Sequence, residues 1–296
     1  MLAFAKLHGS RGRRTYEIGS ILARRARAER TWAIPSDVTE RQERMPRQLG
    51  WIRQFHKPDV PDSLPLLVFP HAGSGASAYR EFSKVLSKKF NVIVFQYPGR
   101  QDRAAEALLG TLPEIAAGAF GEFSTSDHHR GVPIVAFGHS MGAMVAFEFV
   151  RIAQAQAIDV RQLNVSSTVA PCRAAAKPSH PTDDEALLNH LLTLEGTDTD
   201  VFASRELMKL TLPVVKADFK AFDAYSCGED VKVAVPIHAM GGDQDPYVTL
   251  GDLYGWGKHT DSLEVTMFDG GHFYLNQHVQ AIAELLTSCA PCGHTA

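Results

Sequence analysis

The chain has 296 residues, of which 45% are hydrophobic and 21% charged, and four cysteines. That composition excludes a disordered chain, a collagen-like fibre and a small disulfide-stapled scaffold. A net charge of −3 gives no basic footprint for nucleic acid, and no apolar run reaches the roughly 18 residues a membrane helix needs.

The average hides an asymmetry. Residues 1–60 carry 13 Lys/Arg against 6 Asp/Glu, with clusters at Arg11, Arg13, Arg14 and at Arg24, Arg25, Arg27, Arg30. They show little apolar pattern, so residues 1–62 are expected to form a basic, poorly ordered extension. It reads as a flexible arm or as sequence upstream of a start at Met45. A targeting peptide fits less well, because no apolar stretch of about 7–15 residues is present and Glu17 and Glu29 interrupt a transit-peptide pattern.

From residue 63 to the C-terminus, strand-like and helix-like segments alternate as one unit. Pro65–Pro70 is a short apolar run entering the Gly-rich loop His71–Gly75. A helix over 78–89, a strand over 90–95 and a helix over 112–124 follow. The strand 133–137 runs straight into Gly138-His139-Ser140-Met141-Gly142 and a helix over 143–156. Further strands are expected over 163–169, 233–240 and 263–268. Apolar strands separated by helices require a mostly parallel sheet covered on both faces, which is an α/β fold.

One insertion, about 171–228, breaks the alternation with helical signals and no strand. Thr182-Asp183-Asp184-Glu185 reads as a capping box before the Leu187/Leu191 and Leu188/Leu192 pairs. A second stripe runs through Leu207, Leu210, Val214, Val215, Phe219 and Phe222, with Pro213 as a boundary or kink. Beside a catalytic turn these helices read as a lid over a site for an apolar chain.

Glycine on either side of Ser140, after a strand and before a helix, is the nucleophile-elbow pattern. A Cβ at either glycine would collide with neighbouring backbone as the chain doubles back. The same turn aims the Met141 N–H, at the positive end of the next helix, toward a reacting carbonyl. The elbow predicts an acid and then a histidine downstream. Asp243 and Asp245 both qualify as the acid, Asp269 is a poorer candidate, and His272, in Asp269-Gly270-Gly271-His272, is the general base with His278 as a fallback. The second oxyanion donor is expected from the first loop, at the Ala72 N–H. No metal or cofactor is expected. The four cysteines fit a reducing, cytoplasmic setting, and Cys289-Ala290-Pro291-Cys292 reads as a thiol-bearing tail, since Gly293 stands where haem attachment wants histidine and zinc wants a second ligand pair.

Several motifs together carry a resemblance: Phe69-Pro70-His71-Ala72-Gly73, Tyr97-Pro98-Gly99-Arg100, Gly138–Gly142, Leu212-Pro213 with Asp218 and Tyr225, Gly242-x-x-Asp245, and Gly271-His272-Phe273-Tyr274-Leu275. From about Leu66 to Leu275 the chain resembles the type II thioesterases of non-ribosomal peptide and polyketide synthesis, within the α/β-hydrolases. The resemblance implies Ser140 as nucleophile, Asp245 rather than Asp243 as acid, and His272 as base. It implies hydrolysis of acyl thioesters on the phosphopantetheine arms of carrier protein domains, which would be the partners. The first 44 residues have no family counterpart, and Gln101-Asp102 departs from the usual residues between Arg100 and Arg103. Those two arginines either meet carrier-protein acids or stay solvated. A carboxylesterase or lipase, an acyltransferase and a catalytically dead binding module are the alternatives.

Overall fold

Seven strands form one sheet: β1 (Ile52–Arg53), β2 (Pro65–Phe69), β3 (Asn91–Phe95), β4 (Ile134–His139), β5 (Val160–Ser166), β6 (Ile237–Gly242) and β7 (Leu263–Phe268). The order is β1-β3-β2-β4-β5-β6-β7, parallel throughout except for β1, which runs antiparallel to β3. This computed structural model describes residues 50–195 and 201–288. The Met45 start, most of the basic extension and the Cys289–Cys292 tail lie outside the described residues.

Side-chain alternation explains the two cores. In β2, β3 and β4 every residue is buried, and successive residues point to opposite faces. Leu67, Phe69, Ile93, Phe95 and Ala136 pack with α2 (Leu112–Thr125) and α3 (Met141–Ala155). Leu66, Val68, Val92, Val94 and Phe137 pack on the other face with α1 (Arg80–Leu86) and the C-terminal helix, Val279–Ser288. Both faces are therefore covered, as the apolar runs predict. Among the described residues no helix is long and apolar enough to cross a membrane.

The sheet begins before residue 63, which corrects the boundary of the extension. Ile52 and Arg53 pair with Phe95 and Val94, and the Trp51 N–H donates to Glu122 Oε2 at 2.7 Å. A strand of two residues is too short to show a period, and the surrounding charge concealed it. Two other strands move. β5 starts at Val160 rather than 163 and ends before Ser167, whose φ of 45° turns the chain away. β6 starts at Ile237, because Pro236 has no N–H for a ladder.

Between β5 and β6 lie a short 3-10 turn (Pro171–Ala176), α4 (Asp184–Glu195) and α5 (Val201–Asp223). Asp183, not Thr182, caps α4: its Oδ1 accepts from Glu185 N–H at 3.1 Å and Ala186 N–H at 3.0 Å. Pro213 is no boundary, since α5 continues through it. The two helices close on a small core of their own, Leu187, Leu188, Leu212, Val215 and Phe219. After β6 comes α6 (Leu250–Tyr254), and the C-terminal helix is α7.

Candidate active site

The turn from β4 into α3 puts Ser140 at φ 54°, ψ −125°, a conformation that costs a residue with a Cβ on the order of 1–3 kcal/mol. Packing holds it there. A methyl at Gly138 would strike the Gly142 carbonyl, and one at Gly142 would strike the Phe69 and Pro70 carbonyls. The same contact sets the loop after β2, with Ala72, against the start of α3. Met141 is the first residue of that helix, so its N–H has no intrahelical acceptor.

His272 follows β7 and Asp245 follows β6. Asp245 Oδ2 lies 2.8 Å from His272 Nδ1, with the carboxylate fully shielded and the imidazole 6% exposed. Asp245 Oδ1 accepts from the Tyr247 N–H at 3.0 Å and the Val248 N–H at 3.3 Å, so the carboxylate is locked. Asp243 serves a different purpose: it is exposed, and its Oδ1 accepts from the Gly270 N–H at 2.9 Å. The Gln244 N–H donates to the Gly270 carbonyl, also at 2.9 Å, and a Cβ at Gly242 would meet the Gly270 and Gly271 carbonyls. Asp269 is exposed, and its carbonyl meets His278 Nε2 at 2.9 Å. Neither Asp269 nor His278 joins the pair.

Ser140 and His272 line one cavity of about 420 Å³, whose other wall comes from the lid and includes His180, His190, Phe219 and Phe222. Ala72 lines a neighbouring hollow of about 140 Å³ with Leu191, Val215 and Phe273. Several supporting residues were not assigned a role from the sequence. The Ser167 hydroxyl donates to the His272 carbonyl at 3.1 Å. His139 Nδ1 is 2.9 Å from Ser166 Oγ, which is 2.8 Å from the Tyr274 hydroxyl. His139 packs against the His272 ring at 5.1 Å. Burial, then the neighbouring His272, holds His139 well below the usual histidine range, and His71 is pushed down to about 3 by burial, His272 and Arg100 in that order. Both are neutral near pH 7.

Arg100 and Arg103 neither stay solvated nor reach outward to a partner; each is only 5% exposed. Arg100 Nη1 and Nη2 bond Asp218 of α5 at 2.6 and 2.9 Å, and the same carboxylate accepts from the Gly73 N–H at 2.8 Å. The pair thereby ties the lid to the loop bearing Ala72. Arg103 bonds Glu106 at 2.5 and 2.6 Å and the Gln96 carbonyl at 2.7 Å, and lies over the Trp51 ring. One signal pointed to Asp218: a carboxylate set among Val215, Phe219 and Phe222 on an apolar helix requires a partner.

A mostly parallel sheet covered by helices, with a serine elbow after one strand and an aspartate and a histidine after two later ones, defines an α/β-hydrolase. The chain belongs to the thioesterase domain family, whose model matches residues 64–289. It is 39% identical to phenyloxazoline synthase MbtB of Mycobacterium tuberculosis over 240 residues, 80% of this chain but only 17% of that protein. It is 37% identical over 228 residues to thioesterase PikA5 of Streptomyces venezuelae, covering 76% of this chain and 80% of the relative. Among solved structures it is similar to the type II thioesterase BorB from the borrelidin biosynthetic cluster. That likeness has a TM-score of 0.74 at 38% identity and covers 81% of this chain and 97% of the other.

Proposed function

We propose that this chain hydrolyses acyl thioesters carried on the phosphopantetheine arms of carrier proteins, through an acyl-enzyme on Ser140. The observation that carries the reading is the convergence of Ser140 and His272 in one lidded cavity, with Asp245 2.8 Å behind the imidazole. Membership of the thioesterase family supplies the substrate bond. The carrier is inferred from the likeness to the type II thioesterase BorB of the borrelidin biosynthetic cluster and to the thioesterase PikA5.

Asp245 fixes the imidazole tautomer with its proton on Nδ1, which leaves Nε2 to act as base. Nε2 takes the Ser140 hydroxyl proton as Oγ attacks the thioester carbon. The Ala72 and Met141 N–H groups receive the negative oxygen. The C–S bond then breaks, the thiol leaves with the proton from His272, and an ester remains on Ser140. A thiol of pKa about 8.5 leaves far more readily than an amine. Water, deprotonated by His272, attacks that ester and releases the acid and the free serine. The lid wall, with Phe219 and Phe222, receives the acyl chain.

Intact-mass measurement of an acylated carrier protein tests the proposal. Wild type is expected to strip the acyl group, and Ser140→Ala to leave it in place. A carrier unloaded equally by both, or by neither, defeats the reading. Transfer of the acyl group to an added amine instead of water makes the chain an acyltransferase.

A further inference from the structure

The lid wall of the cavity is not uniformly apolar. His180 Nδ1 lies 2.6 Å from Asp223 Oδ1, its backbone N–H donates to Asp223 Oδ2 at 2.9 Å, and its ring stacks on Phe219 at 3.8 Å. That imidazole is committed to holding the wall together. His190, one helix away on α4, stands edge-on to the stack, 5.4 Å from His180 and 5.8 Å from Phe219, and 4.6 Å from Tyr247 of the acid loop. It lines the cavity with Ser140 and His272, is half-buried, and has no hydrogen-bond partner among the described residues. Burial, then His180 and His272, push it down to about 4 against the opposing pull of Asp223. Near pH 7 it is therefore neutral, presenting one N–H donor and one nitrogen acceptor.

A donor and an acceptor in such a place matter to whatever fills the cavity. A hydrocarbon chain strips water from the ring and returns nothing, so its binding carries the desolvation of an unpaired polar group. A chain bearing an oxygen within reach replaces the lost water. Three other polar side chains lining the cavity are already used: His180 pairs with Asp223, Ser167 donates to the His272 carbonyl, and Lys177 pairs with Asp252 at 3.0 Å.

We propose that His190 is a specificity-determining residue, which hydrogen-bonds an oxygen substituent of the acyl chain and so favours hydroxy- or keto-acyl groups over plain hydrocarbon ones. This rests on the thioesterase reading above and adds the class of acyl group. Sites that hydrogen-bond a substrate group discriminate strongly against the analogue lacking it, whereas apolar pockets tell chains apart weakly.

The test compares kcat/KM for N-acetylcysteamine thioesters of octanoate, 3-hydroxyoctanoate and 5-hydroxyoctanoate in wild type, His190→Phe, His190→Leu and His190→Gln. Wild type is expected to prefer one hydroxyacyl substrate over octanoyl by on the order of tenfold. Either apolar variant is expected to bring that ratio close to one, and His190→Gln to keep most of the preference. The two apolar variants differ in bulk, so a folding defect in one leaves the other to report. Equal turnover of all three substrates by wild type, or a preference that survives in the apolar variants, overturns the role of His190 and leaves the thioesterase reading standing. No turnover of any of them, together with an acylated carrier protein left loaded, overturns both.

Discussion

The loops at the ends of β4, β6 and β7 carry Ser140, Asp245 and His272 on backbone that is laced together, whereas α4 and α5 reach the same cavity from a small core of their own. On the sheet side, the Gly270 and Gly271 carbonyls sit against Gly242, Asp243 and Gln244 bond Gly270, and Ser167 bonds the His272 carbonyl. On the lid side, five buried apolar residues close the helix pair. The difference separates two tasks. Geometry accurate to a fraction of an ångström is kept where packing allows no slack. The lid wall of the cavity is carried by a helix pair with a separate apolar cluster, against which Ala72 of the sheet-side loop also packs. Asp218 joins the two, since it pairs with Arg100 and holds Gly73 from a lid helix.

The largest expected effect sharpens the sheet side. Asp245→Asn should lower kcat by about 10⁴-fold, because an amide at that position favours the wrong imidazole tautomer. Asp243→Asn, two residues away, should stay within about tenfold of wild type, since it loses only a carboxylate bond to the Gly270 N–H. Equal losses in the two variants would mean that the acid has been assigned to the wrong loop position.

Next comes the joint between the regions. Removing one partner of a buried pair leaves the other charge stranded, so Asp218→Ala should cost about 3–5 kcal/mol of unfolding free energy, read from urea titration. At temperatures where it remains folded, its kcat should fall as well, because the Ala72 loop loses the anchor on Gly73. A loss below about 1 kcal/mol would show that lid and loop hold their places without the pair.

The smallest effect is on stability against pH. His71, His139 and His190 have folded pKa values below their unfolded value of about 6.5. Such groups leave stability fully present above pH 6.5 and remove it as pH falls, because the unfolded chain takes up protons that the folded one refuses. At pH 5.5 the loss should be on the order of 1 kcal/mol per histidine for those that stay neutral. Urea midpoints at pH 7.5 and 5.5 check the sign, and a higher midpoint at 5.5 would contradict it.

The division between sheet and lid also sets what could be read from the sequence. The elbow, the histidine loop and the positions of most strands along the chain rest on local pattern: an apolar run, then glycines at fixed spacing. The place of Asp245 required the family resemblance, since Asp243 satisfies the same chain order; only the folded loop shows Asp243 turned to the Gly270 N–H. The Arg100–Asp218 pair spans 118 residues of sequence, and nothing local to Arg100 names its partner. The edge strand at Ile52 was hidden because its two residues sit in a charged stretch and gain their structure from β3. His180 and Asp223 enclose the lid from its two ends, so that contact exists only once α4 and α5 have folded back on each other.

The proposed nucleophile is the elbow serine, activated by His272. Peptide mass mapping after treatment with a fluorophosphonate probe reads this directly. One phosphonylated peptide is expected, the one containing Ser140, with labelling slowed severely in His272→Ala. Label on Ser167 or any other serine, or equal labelling of Ser140 with and without His272, would contradict it.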